Sequence, residues 1–211
     1  MQNKGGGTLK KLLRKYFIMG SQNCERDPEV ILQEAISAGI TIFQFREKGI
    51  GSLSGEEKIS LGKRLREICR ENGIPFIIND DVELVEILDV DGIHVGQGDT
   101  SVEVLREKFP DLYIGLSVSN VEELRNSPID LVDYVGAGPV FATSSKEDAK
   151  QPVGVEWIRY VRKKHPELPI VGIGGINESN AKQVIEAGAD GVAVISAITK
   201  SKDIEKTVHN L

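Results

Sequence analysis

From Tyr16 onward, short apolar runs alternate with amphipathic stretches. The apolar runs are YFIMG (16–20), TIFQF (41–45), PFIIN (75–79), GIHVG (92–96), YIGLSV (113–118), YVGAG (134–138), PIVGIGG (169–175) and GVAVIS (191–196). Each is rich in β-branched or aromatic residues and bounded by Gly, Pro or Asp, which marks strands. Between them apolar residues recur at helical spacing. Leu61, Leu65, Ile68 and Cys69 form one stripe, Ala181, Val184, Ile185 and Gly188 another, and Val102, Leu105 and Phe109 a shorter one. Val82, Val85 and Leu88 form a further short stripe, and Ile204, Val208 and Leu211 predict a closing helix. Asp27-Pro28 has the form of an N-cap followed by proline at the first helical position.

Strands that are apolar on both faces and alternate with helices predict a parallel sheet covered by helices. Eight such units predict a single-domain (β/α)8 barrel over 16–211, preceded by a lead-in and short helix over 1–15. An open doubly wound sheet is the competitor, but the first strand–helix junction, Gly20 to Glu29, lacks its glycine signature. Gly5, Gly6 and Gly7 read as a flexible lead-in.

Composition narrows the function classes. The 211 residues carry a net charge of −6, which argues against a nucleic-acid binder but leaves room for a local anion pocket. Two cysteines are too few for a disulfide framework and point to a reducing, cytoplasmic setting. No apolar run approaches the roughly 20 residues of a membrane span, and the one following the basic residues Lys10 to Lys15 is too short for an export signal. Glycine, at 22 residues, is in excess. It collects both where helices turn back to strands and where strands end.

In a (β/α)8 barrel the chemistry belongs at the C-terminal strand ends. After the second strand, Gln44, Arg46 and Lys48 share one face and Phe43 and Phe45 the other. The phenylalanines suit the helix layer; the polar set suits an anion pocket, against the plainer reading of solvated charges on an exposed strand end. Asp80 follows the third strand and Asp99 the fourth. Neighbouring strand ends lie about 5 Å apart, so the two carboxylates can meet, repelling each other unless a cation intervenes. Mg2+ suits them, because it uses one or two carboxylates plus substrate phosphates. Asp81 fits better as a helix N-cap. After the sixth strand come Thr143, Ser144, Ser145 and Lys146, a hydroxyl-rich loop that could serve a phosphate or simply face solvent. Gly174, Gly175, Ile176 and Asn177, with Val194, Ile195 and Ser196, occupy the two strand ends where such barrels commonly hold phosphate. His94 is open between a structural and a functional role; His165 and His209 read as surface residues and Trp157 as packing.

The segments YFIMGSQN, FQFREKG, PFIINDD, DGIHVGQGD, YVGAGPVFATSSKEDA, IVGIGGIN and ADGVAVISAI, in this order, resemble the thiamin-phosphate synthase (thiamin-phosphate pyrophosphorylase) family from Tyr16 to about Ile198. The resemblance implies a cytoplasmic transferase that joins a pyrimidine diphosphate to a thiazole phosphate or its carboxylate, releasing pyrophosphate. It implies that Gln44, Arg46, Lys48, Asn79, Ser117 and Lys146 hold the pyrimidine diphosphate. Arg46, Lys48, Ser117 and Lys146 would take part in catalysis, and Asp80 and Asp99 would bind Mg2+. Thr143, Ser144, Ser145, Gly175, Ile195 and Ser196 would hold the thiazole phosphate. The implied partners are these two phosphorylated small molecules, with no nucleic acid or membrane; a homo-oligomer is compatible with the fold, though no residue argues for it. Ala142, Ser145, Gly98 and Asn120 depart from the common family pattern without removing an expected contact type. Two rivals share part of this pattern: a thiazole tautomerase of the same fold and a non-catalytic phosphate-binding regulator. Neither needs the set Arg46, Lys48, Asp80, Asp99 and Lys146.

Overall fold

A computed structural model describes residues 6–145 and 150–211. Eight parallel strands close a barrel in chain order: β1 Lys15–Met19, β2 Ile42–Phe45, β3 Phe76–Asn79, β4 Gly92–Val95, β5 Tyr113–Val118, β6 Tyr134–Ala137, β7 Ile170–Ile173 and β8 Gly191–Val194. Closure comes from β1 on β8, with Lys15 opposite Val192 and Phe17 opposite Val194. All eight strands fall where the apolar runs predict them, generally shorter by one or two residues.

Strand alternation sorts the apolar residues into two layers. Phe17, Met19, Phe43, Phe45, Phe76 and Ile78 face outward and pack beneath the helices. Tyr16, Ile18, Ile42, Ile77, Tyr134, Val171, Ala193 and Ile195 form a separate cluster inside the barrel. Outside, Phe17, Phe43 and Phe76 pack across neighbouring strands with tilted rings and centroids 5.6 Å apart, an arrangement that adds to their burial energy. The helices are α1 Gly6–Leu12, α2 Pro28–Ser37, α3 Gly55–Glu71, α4 Leu84–Ile87, α5 Val102–Lys108, α6 Val121–Asn126, α7 Gly154–Lys164, α8 Ala181–Glu186, α9 Ser196–Thr199 and α10 Ile204–His209. Asp27 caps α2, accepting from the Glu29 amide at 2.8 Å, with Pro28 first in the helix.

Four local readings change. Gly6 and Gly7 lie in the first turn of α1, not in a flexible lead-in; Gly5 lies outside the described residues. Burial of Leu9 and Leu13 against the barrel interior outweighs the poor helix propensity of glycine there. Asp81 is not a helix cap: its carboxylate pairs with Lys58. Phe109 falls just beyond α5 as its C-cap. Val82 precedes α4, which is only one turn long.

At the N-terminal face a device repeats beneath alternate strands. Asp91, Asp133 and Asp190 immediately precede β4, β6 and β8. Each carboxylate accepts a backbone amide from the strand just before it in the chain, Phe76 of β3, Ile114 of β5 and Ile170 of β7, at 2.8 Å. Each also pairs with an arginine from a covering helix: Arg66, Arg106 and Arg162 at 3.1, 2.6 and 2.7 Å. These clips tie helix to sheet on the face away from the polar strand ends.

Candidate active site

The polar strand ends surround two adjoining cavities, of about 390 and 440 Å3. Lys48, Ser145, Ile195 and Ser196 line both, so the two form one mouth. Asp99, Ser117, Thr143 and Gly175 line the first, and Arg46 and Ser144 the second. Gln44 and Asn79 are buried. Lys146 lies outside the described residues, so its place in the site is left to the sequence reading.

On the β2 side, alternation turns Gln44 and Arg46 away from the Phe43 and Phe45 layer. Arg46 is buried although charged, and its backbone amide bonds the Met19 carbonyl, continuing the ladder past the strand. Glu47 is also buried. Its carboxylate accepts from the Ser21 amide and hydroxyl and from the Leu53 amide, fixing the loop that presents Arg46 and Lys48.

On the β3–β4 side, Asp80 takes a left-handed backbone, φ 60°, and its amide bonds the His94 carbonyl at 3.0 Å. A non-glycine residue there is uncommon and costs strain, which concentrates at functional sites. Asp99 lies close enough to Asp80 to act on its carboxyl, as their spacing predicts. The Asp80 carboxyl is pushed above its ordinary range, first by burial and then by Asp99, against the pull of Lys48. Lys48 Nζ sits 2.6 Å from Asp80 Oδ2, and the Gly96 amide donates to Asp99 Oδ2 at 2.8 Å. A divalent cation suits this pair, since hard carboxylate oxygens in mutual repulsion already draw one ammonium to themselves. Among the described residues no group of three or more His, Cys, Asp or Glu is placed to hold a metal. Two carboxylates would therefore need further oxygens, which substrate phosphates supply.

The opposite side is built from close backbone approach. Gly174 and Gly175 are both left-handed, φ 97° and 63°. A Cβ on Gly175 would stand 2.4 Å from the Ala142 carbonyl oxygen, so only glycine lets β7's end meet the β6 loop. Ser145 Oγ and Ser196 Oγ lie 3.1 Å apart, joining the β6 loop to the start of α9. Successive left-handed glycines beside two hydroxyls suit a concavity for an anion.

A network not read from the sequence runs through Tyr16 and Tyr134 in the barrel interior. His94 bonds Ser117 Oγ through Nε2 at 2.9 Å and Tyr134 Oη through Nδ1 at 3.2 Å. Tyr134 bonds Tyr16 at 2.8 Å, and Tyr16 accepts from Gln44 Nε2 at 2.8 Å. The signal for this network is the glycines inside strands, Gly115 and Gly136, which mark close approach. His165 is half-buried and His209 exposed. Trp157 is buried and donates to the Val118 carbonyl, a packing role.

The closed barrel with its cavities at the C-terminal strand ends is that of a (β/α)8-barrel enzyme. Residues 15–198 match the thiamine monophosphate synthase family, and the chain belongs to it. It is 60% identical over 202 residues to a thiamine-phosphate synthase of Oceanobacillus iheyensis, covering 96% of this chain and 98% of that one. It is 51% identical over 203 residues to one from Anoxybacillus flavithermus, covering 96% and 94%. A solved thiamine phosphate pyrophosphorylase from Pyrococcus furiosus superposes with TM-score 0.84 at 34% identity, covering 96% and 95%.

Proposed function

We propose that this chain is a thiamin-phosphate synthase, a transferase that joins an aminopyrimidine methyl diphosphate to a thiazole phosphate and releases pyrophosphate. The observation that carries this reading is the juxtaposition, in one mouth, of the Arg46, Lys48, Asp80 and Asp99 cluster with the Gly175, Ser145 and Ser196 concavity. A thiazole tautomerase or a phosphate-binding regulator would need the second but not the first.

In this reading the C–O bond between the pyrimidine methylene and the diphosphate breaks first, and its electron pair leaves with pyrophosphate. The thiazole nitrogen lone pair then forms the new C–N bond, and the positive charge ends on the thiazolium ring. No proton is moved, which agrees with a site that offers charge rather than an acid–base pair. Arg46 and Lys48 meet the charge that develops on the leaving group, and the family resemblance assigns Lys146 the same task. Asp80 and Asp99 would hold Mg2+, which when bound neutralises diphosphate charge. Gln44, Asn79 and Ser117 would orient the pyrimidine. Thr143, Ser144, Ser145, Gly175, Ile195 and Ser196 would anchor the thiazole phosphate so that its nitrogen waits at the methylene. Water is the competing nucleophile, so its exclusion from the loaded site would favour the product. Both cysteines are free thiols, in keeping with a reducing, cytoplasmic setting. Among the described residues no helix is long and apolar enough to cross a membrane.

The test is incubation with both phosphorylated precursors and Mg2+, with detection of thiamin phosphate and pyrophosphate. Product is expected from the native chain. Asp80→Ala and Asp99→Ala should each lower turnover on the order of a hundredfold or more while keeping the native circular dichroism. Full activity in either variant removes the metal assignment, and no product from the native chain removes the synthase reading.

A further inference from the structure

We infer that Tyr16, Tyr134 and His94 are positioning residues: they fix the direction of one buried hydrogen-bond chain, so that Gln44 offers the substrate an oxygen and Ser117 offers it a hydroxyl hydrogen. This rests on the reading of Gln44 and Ser117 as pyrimidine contacts.

The direction follows from the Gln44 amide, which turns its nitrogen to Tyr16. Gln44 Nε2 can only donate, so Tyr16 Oη accepts from it at 2.8 Å. Tyr16 is buried, and its own hydrogen goes to its other partner, Tyr134 Oη, 2.8 Å away. Burial pushes both phenol pKa values well up, so both oxygens keep their hydrogens at neutral pH. Tyr134 Oη has now accepted, and its hydrogen goes to His94 Nδ1 at 3.2 Å. That makes His94 a neutral ring with its hydrogen on Nε2, donating to Ser117 Oγ at 2.9 Å. Ser117 lines the first cavity, and its hydroxyl hydrogen is left for a ligand. At the other end Gln44 Oε1 is buried and accepts from no donor among the described residues.

The barrel interior is cleared for this chain. A Cβ on Gly115 would lie 2.2 Å from Tyr134 Cζ and 2.4 Å from His94 Nδ1. One on Gly136 would lie 3.1 Å from His94 Cε1. Two glycines inside strands, otherwise a cost to the sheet, are thus accounted for by the relay.

The consequence is selectivity. A side-chain amide can usually turn over and exchange its oxygen for its nitrogen at small cost. Here that turn would reverse every bond as far as Ser117. The amide is thus locked to the His94 tautomer, and with the His94 hydrogen on Nε2 Gln44 stays an acceptor, suited to the exocyclic amine of an aminopyrimidine and unsuited to the oxygen of the 4-oxo counterpart.

The experiment has two parts. In protein labelled with 15N-histidine, His94 should show the Nε2–H tautomer without ligand at pH 7.5, its signal assigned by removing the others with His165→Gln and His209→Gln. Tyr134→Phe should leave a mixture of tautomers. A single Nδ1–H tautomer or a protonated ring in the native protein overturns the inference. Calorimetry with the aminopyrimidine methyl diphosphate and its 4-oxo counterpart should show a preference for the amine of about tenfold or more in the native chain, the worth of a misplaced polar contact. That preference should shrink severalfold in Tyr16→Phe, while the thiazole phosphate KM is unchanged. An undiminished preference in Tyr16→Phe also overturns the inference. Binding of neither pyrimidine instead overturns the functional reading, which the tautomer measurement keeps separate.

Discussion

Lys48 Nζ lies 2.6 Å from Asp80 Oδ2, an ion pair between the ends of β2 and β3 across the mouth of the barrel. Asp80 is held there in a left-handed conformation, beside a second carboxylate and partly out of water. The arrangement is expensive for the protein alone and sensible for a protein that binds a highly charged ligand.

The pH dependence of stability follows from this. The folded-state pKa of Asp80 is raised, so the folded chain holds that proton more tightly than the unfolded chain. The contribution of Asp80 therefore becomes less favourable as pH rises from the ordinary value of 3.8 through the raised one. Asp80→Asn, which tolerates the same backbone, should raise the melting temperature of metal-free protein at pH 7 by roughly 2 °C. The gain should fade as the pH is lowered toward 3.8. A thermal melt series across pH checks this; a lower melting temperature for the variant at pH 7 contradicts it.

Gly175→Ala should damage one subsite selectively. Its Cβ would collide with backbone atoms of Ala142 and Phe141, and the residue is left-handed. The β6 loop must shift away, so the thiazole phosphate KM should rise about tenfold or more, given about 1–2 kcal/mol of strain at a left-handed site. The pyrimidine diphosphate KM should change little. Steady-state kinetics with each substrate varied in turn separates the two.

Asp190→Ala should cost stability and spare the site. It leaves the Arg162 guanidinium and the Ile170 amide without their shared acceptor, at the barrel end opposite the mouth. Loss of one partner of a largely buried charge pair costs about 3–5 kcal/mol, reduced here by the partial exposure of both side chains. Urea unfolding should show a lower midpoint with an unchanged slope, and kcat at low temperature should remain close to native.

Cys24 and Cys69 should resist alkylation in the folded protein. Burial, with nearby carboxylates, pushes Cys24 up to about 12, and burial does the same for Cys69. At pH 8 only on the order of one thiol in ten thousand is then the reactive thiolate. Iodoacetamide labelling followed by mass spectrometry should find both sites unmodified until denaturant is added.

Much of this was legible along the chain because barrel strands announce themselves by local means. Alternation placed Gln44 and Arg46 opposite Phe43 and Phe45, and strand ends placed Asp80 near Asp99. The Asp clips were present in the sequence as VDG, VDY and ADG before alternate strands, yet a lone Asp before a strand has no meaning until its arginine is seen. Asp81 and Gly6 were misread for the same reason, since pairing with Lys58 and burial of Leu9 are long-range events that override local preference.

By itself, then, the sequence determined the eight-unit barrel and the residues that gather at its mouth, because periodicity and position along a strand are local properties. The direction of the Gln44–Tyr16–Tyr134–His94–Ser117 chain was decided only by the tertiary structure. Its members come from β1, β2, β4, β5 and β6, and which atom donates depends on contacts that exist only once the barrel closes.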